Sequence, residues 1–174
     1  EYLTNARDWL IISCETGQRV SDFMRFNKKQ IRFEGKVPLI EFTQVKTNKT
    51  MAIPLSKRVI AILEKRNGEF PRQISDQRYN EYIKDVCKLV ELNQKTKGSI
   101  QKTEDKVTRK ESGTFEKWEL VTSHIGRRSF ATNNYGRIPT SLLMNVTGHT
   151  TERMFLEYIG KTQTEKAIQL AEYF

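Results

Sequence analysis

The chain has 174 residues, with 30 Lys and Arg against 21 Asp and Glu, giving a formal charge of +9 and a pI near 9.6. That length fits one domain able to bury a core without disulfides or structural metal. A surface this basic attracts polyanions, nucleic acid before an anionic membrane, and no apolar run approaches the roughly 18 to 20 residues that a membrane span requires. The only two cysteines, Cys14 and Cys87, lie far apart among apolar residues and read as buried thiols, whereas a metal centre brings Cys or His together at short spacing. No metal and no cofactor are therefore expected. No signal peptide is visible, which predicts a cytoplasmic protein, and the chain opens on Glu1 without a methionine, as a fragment would.

Helical spacing begins with Thr4 or Asn5 as a cap, continues through Ala6, Trp9, Leu10 and Ser13, and ends at Gly17. Arg19 then falls in a junction before a second helical stretch, Val20 to Phe26. From 31 to 33, 39 to 46 and 51 to 55 the residues turn β-branched or aromatic, with turns at Glu34-Gly35-Lys36 and Thr47-Asn48-Lys49, which predicts a three-stranded antiparallel sheet. Ser56 caps a helix carrying Val59, Ile60 and Leu63, and Ser75 one carrying Tyr79, Ile83, Val86 and Val90.

Residues 93 to 117 lose apolar content and hold seven Lys or Arg against four acids. The segment reads as a flexible or hairpin excursion turning at Ser112-Gly113, with the extra hairpin placed around 105 to 121. Three short helices follow, near 124 to 135, 140 to 147 and 152 to 159, punctuated by Gly136, Pro139, Gly148 and Gly160. A C-terminal helix runs through Phe174; its apolar Ile168, Leu170, Ala171 and Phe174 could pack on their own domain or on a neighbouring subunit. The fold class is α+β: mostly helical, with a small antiparallel sheet in the N-terminal third.

Against this layout six residues form a candidate site: Arg19, Lys46, His124, Arg127, His149 and Tyr158. Alone, each has an ordinary explanation, such as a solvated arginine, a capping imidazole or a core tyrosine. Together they suit cleavage of a phosphodiester. A guanidinium offers a rigid fork to phosphate oxygens, and Arg19 could be held for this by nearby Asp22. An imidazole titrates near neutral pH whereas free tyrosine has a pKa of about 10. A lysine at a strand end can protonate a leaving oxygen, with Lys49 competing for that role. His124 and Arg127, three apart on a helix, should share a face. Both histidines of the chain fall within the set.

These motifs resemble the tyrosine recombinases, or phage-type integrases, over nearly the whole chain. The resemblance rests on Thr16-Gly17-Gln18-Arg19-Val20-Ser21-Asp22, on Lys46 before Ile53-Pro54-Leu55, on His124-Ile125-Gly126-Arg127, and on Gly148-His149 nine residues ahead of Tyr158. The chain departs from the family pattern at Arg128, where a second histidine is common, at Thr147, where leucine is common, and at Phe155, where threonine often precedes the tyrosine.

The resemblance implies that residues 1 to 174 are a catalytic domain, the amino-terminal DNA-clamping domain lying outside this chain. It implies a site-specific recombinase or integrase of a mobile element that cuts and rejoins DNA through a 3′-phosphotyrosine, without metal or ATP. Tyr158 would be the nucleophile, Arg19 and Arg127 the phosphate grip, His124 the proton acceptor, Lys46 the proton donor, and His149 a ligand of a non-bridging oxygen. It further implies a bacterial, nucleoid-associated protein acting on double-stranded DNA as a homotetramer on two sites, with DNA-bending accessory proteins as further partners. Competing readings are a type IB topoisomerase, a catalytically inactive DNA-binding module of the same fold, and a metal-dependent nuclease.

Overall fold

The computed structural model describes residues 1–104, 107–171 and 174. Helix α1 (Tyr2–Thr16) runs through the centre of the domain and buries Ala6, Trp9, Ile12 and Ser13. It begins ahead of the predicted cap. Asn5 is drawn elsewhere: its amide donates to the Arg72 carbonyl at 2.7 Å and its oxygen accepts from the Arg72 N–H at 2.9 Å. Gly17 ends α1 at φ 65°, its N–H donating to the Ser13 carbonyl. A Cβ there would also sit 2.5 Å from Phe130 Cδ1, so both backbone conformation and packing require glycine.

Arg19 occupies the extended junction predicted for it, immediately before the short helix α2 (Val20–Phe23). Strands β1 (Ile31–Glu34), β2 (Val37–Thr43) and β3 (Thr50–Pro54) form the predicted antiparallel sheet in the order β1-β2-β3. Alternation along β2 and β3 buries Ile40, Phe42, Met51 and Ile53 against the helices. Ser56 and Ser75 cap α3 (Lys57–Lys65) and α4 (Asp76–Leu89), their hydroxyls accepting from Val59 and Arg78 N–H. The main core joins these elements around Trp9, whose ring stacks 6.1 Å from Phe70 and lies 5.8 Å from Phe23.

The basic excursion is a long hairpin, β4 (Lys95–Glu104) with β5 (Val107–Glu116). It starts earlier than the 105 to 121 expected, and residues 117 to 120 form a 3₁₀ turn. Ser112 and Gly113 are not its turn: they pair with Ser99 and Gly98 in mid-ladder. Gly98 opposite is required by packing, since a Cβ there would meet Leu120 at 2.7 Å. Residues 105 and 106 lie outside the described residues.

The last third follows prediction closely: α5 (His124–Asn134), α6 (Thr140–Thr147), α7 (Glu152–Ile159) and α8 (Gln163–Ala171). Gly148 and Gly160 close α6 and α7 in the left-handed region. The predicted continuation of α8 through 172 and 173 lies outside the described residues. Helices α1 and α5 touch backbone to side chain at Gly126, where any Cβ would run into Ser13 Oγ. A second, smaller core of Phe130, Ala131, Leu143 and Phe155 binds α5, α6 and α7 together. Among the described residues no helix is long and apolar enough to cross a membrane.

Candidate active site

The site lies where the end of α1, the start of α2, the middle of α5 and the α6–α7 segment meet. Arg127 is buried, and its guanidinium ties two chain ends together. Nη1 donates to the Gly17 carbonyl at 2.8 Å and Nη2 donates to the Thr147 carbonyl. Both acceptors are carbonyls at or next to helix C-termini, where the helix leaves oxygen atoms without intrahelical partners and the macrodipole is negative. Burial, with the Arg19 charge as a second cause, holds the Arg127 pKa below arginine's usual range, at about 10, so it remains a cation at neutral pH.

Arg19 lies close enough to act on Arg127 electrostatically. Its Nη1 is buried without a hydrogen-bond partner among the described residues. Asp22 does not hold it, contrary to expectation. Instead Asp22 Oδ1 accepts from the Val45 N–H at 2.8 Å, and the carboxylate becomes an anchor for the turn after β2. The same turn is fixed by a buried amide chain: Gln44 Nε2 donates to Gln18 Oε1 at 2.8 Å, and Gln18 Nε2 donates to the carbonyls of Val146 and Thr16. Thr47 Oγ1 donates to Gln44 Oε1 at 2.6 Å. Lys46 sits on this braced turn with its side chain exposed. The competing Lys49 is committed elsewhere, donating to Asn145 Oδ1 at 2.6 Å.

Tyr158 projects from α7 against the His149 ring, the centroids 4.8 Å apart at 46°. Its hydroxyl is buried and, among the described residues, makes no hydrogen bond of regular geometry, although Arg127 comes within range as a donor. Burial raises the phenol pKa, while Arg127, Arg128 and Arg19 pull it down less strongly. The phenol is therefore protonated at neutral pH and needs a proton acceptor to become a nucleophile. His149 Nδ1 contacts Thr147 Oγ1 at 2.8 Å. Burial first, then Arg127 and Arg19, lower the His149 pKa, favouring neutral imidazole.

His124 and Arg127 do not present side by side as the i, i+3 spacing predicts. His124 is exposed in the first turn of α5, whereas Arg127 turns inward to α1 and α6. His124 instead lines a cleft of about 550 Å³ together with Arg128, Lys97, Leu120 and Tyr158. Arg128, which appeared only as a departure from the family pattern, clamps the tyrosine: its guanidinium carbon lies 5.4 Å from the Tyr158 ring centroid and Nε donates to the Tyr158 carbonyl at 3.0 Å. Its adjacency to Arg127 was the available signal, because residues one apart on a helix point about 100° apart and can flank a site from two sides. Gln18 and Gln44 gave no signal of their own in the sequence. Among the described residues no three Cys, His, Asp or Glu side chains gather as a metal-ligand set.

Solved structures share this arrangement of elements. A XerH site-specific recombinase bound to its difH substrate aligns over 99% of this chain and 48% of its own, at 14% identity and a TM-score of 0.62. A lambda integrase fragment bound to a core site aligns over 92% of this chain and 53% of its own, at 17% identity and a TM-score of 0.63. The Tn1549 transposon integrase bound to transposon right-end DNA aligns over 96% and 58%, at 15% identity and a TM-score of 0.57. The fold is thus the one these tyrosine recombinases share, and this chain spans about half the length of those solved chains. No curated protein sequence matches significantly. The phage integrase family model matches residues 4–165, and the chain belongs to that family.

Proposed function

We propose that residues 1–174 form the catalytic domain of a site-specific recombinase that cuts and rejoins DNA through a 3′-phosphotyrosine, using neither metal nor ATP. The observation that carries this reading is the meeting of two buried polar groups that lack a regular hydrogen bond, the Tyr158 hydroxyl and Arg19 Nη1, beside Arg127 and His149. Buried polar atoms without partners are rare in folded proteins, and a phosphate supplies acceptors for the guanidinium and an electrophile for the phenol.

In this mechanism the Tyr158 oxygen bonds to the scissile phosphorus as the P–O5′ bond breaks. The phenolic proton passes to His124, across the cleft that both residues line, and Lys46 supplies the proton that makes the 5′-hydroxyl. Arg19 and Arg127 bind the non-bridging oxygens, whose negative charge grows in the pentavalent transition state. Arginine charge takes the part that metal ions play in two-metal nucleases. The phosphotyrosine stores the cleaved bond, so religation to another strand needs no nucleotide.

Double-stranded DNA is the partner, held by the basic surface with salt-dependent affinity. Exchange between two duplexes calls for a homotetramer, with DNA-bending accessory proteins aiding assembly. Ile168 and Leu170 on α8 are 62% and 57% exposed, which supports packing of that helix on a neighbouring copy. The decisive experiment uses DNA with a nick near the cut site, which traps the adduct. The full-length enzyme should become covalently attached, and Tyr158→Phe should not. An adduct on the phenylalanine variant would overturn the assignment, and efficient relaxation of supercoils without strand exchange would favour the topoisomerase reading.

A further inference from the structure

We propose that Thr147 is a positioning residue that fixes the His149 imidazole in its Nδ1–H form, so that Nε2 enters the reaction as a proton acceptor and binds phosphate only after protonation. The inference rests on the proposed strand-transfer function for its consequence, but not for its geometry.

Thr147 closes α6 and is 1% exposed. Its Oγ1 lies 2.7 Å from the Leu143 carbonyl oxygen and 2.8 Å from His149 Nδ1. A carbonyl has no proton, and two oxygens do not approach to 2.7 Å without one between them. The hydroxyl has a single hydrogen, so that hydrogen points to Leu143. The contact with His149 must then run the other way, with Nδ1–H donating to Oγ1. A neutral imidazole carries one N–H, so its Nε2 is a bare lone pair.

A bare Nε2 repels a phosphate oxygen. The groups around the ring keep it bare in the free protein: Arg127 from α5 and Arg19 from the α2 junction disfavour a second positive charge, and Phe155 and Tyr158 from α7 cover the ring at 5.6 and 4.8 Å. An entering phosphodiester reverses the balance, because its negative charge favours imidazolium. One proton is taken up from solvent. Nδ1 then donates to Thr147 and Nε2 to the phosphate, so the Thr147 hydroxyl is the acceptor that both states need. The carbonyl of the same residue holds Arg127, so this side chain sets the imidazole while the backbone sets the guanidinium.

Two-bond ¹H–¹⁵N spectra of the free protein, with the His149 signals assigned through His124→Gln, separate the two neutral imidazole forms. Wild type and Thr147→Ser should show Nδ1–H, and Thr147→Val, which keeps the volume but removes the hydroxyl, should switch to Nε2–H. Nε2–H in wild type, or no switch in the valine variant, would overturn the proposal. Cleavage of nicked DNA supplies the second readout. Wild-type and serine enzymes should lose rate as pH rises through the His149 titration in the complex, whereas the valine variant, whose neutral ring already donates from Nε2, should lose that alkaline limb. An equal fall in rate at every pH would indicate a merely structural threonine and sink the mechanistic half. Failure of the recombinase reading is distinguishable, since it leaves no cleavage to measure yet does not touch the spectra.

Discussion

The Tyr158 ring leans on the His149 imidazole with centroids 4.8 Å apart, while its buried hydroxyl makes no hydrogen bond of regular geometry among the described residues, Arg127 being the donor that comes within range. The pair therefore separates reactivity from stability. Tyr158→Phe removes a buried hydroxyl whose contact with Arg127 falls short of regular hydrogen-bond geometry, so the variant should lie within about 1 kcal/mol of wild type in stability. Thermal melting checks this. A large drop in Tm would mean that the hydroxyl is bonded in the folded protein.

The two arginines should separate in the same way. Arg127 donates to the carbonyls of Gly17 and Thr147, so Arg127→Ala should lose roughly 2 to 3 kcal/mol, the range for hydrogen bonds from a charged donor. Arg19 Nη1 has no partner to lose, and Arg19→Ala should melt near wild type. Both variants should cleave nicked DNA at least about a hundredfold more slowly. Denaturant titration alongside single-turnover cleavage distinguishes the two effects; equal stability losses would contradict this division between a braced and a free guanidinium.

Asp22 acts through the turn that carries Lys46. Asp22→Asn keeps an oxygen for the Val45 N–H and should retain most activity, whereas Asp22→Ala releases the turn. We expect the alanine variant to cleave up to about tenfold more slowly, about 1.4 kcal/mol being within the range for one part-buried N–H left unpaired, and limited proteolysis to find new cuts near residues 45 to 49. Identical behaviour of the two variants would show that the carboxylate charge, not the anchor, matters.

Alkaline pH offers a test of the α1 packing. Burial, and next the Glu15 charge, raise the Cys14 thiol from 9.0 to about 11. Between those values the unfolded chain has lost a proton that the folded chain keeps, so stability falls as pH climbs through this window and is intact below it. The loss from this thiol is on the order of 2 kcal/mol, and Cys14→Ala should flatten the decline. Burial acts in the same direction on Cys87 and Tyr79, so some slope should remain. A variant with an unchanged slope would place the thiol in water.

Helix punctuation was readable because it is local. Gly17, Gly148 and Gly160 end helices through their own backbone conformation, and Ser56 and Ser75 cap them through the next few N–H groups. What escaped sequence reading depends on partners distant along the chain. Asn5 resembled a cap but bonds to Arg72, Gly113 resembled a turn but faces Gly98 beneath Leu120, and Asp22 resembled the mate of Arg19 but bonds to Val45. The candidate site divided along the same line. Residue types and their order singled out six candidates, yet the inward turn of Arg127, the exposure of His124 and the clamp from Arg128 follow from how α1, α5, α6 and α7 pack.

The bridge from Arg127 to both Gly17 and Thr147 has a wider consequence. Those carbonyls belong to segments 130 residues apart in the chain, and the guanidinium takes up its place only when both have docked. A half-assembled or locally opened molecule would lack this cation at the site, so the chemistry proposed above would await complete docking of both segments.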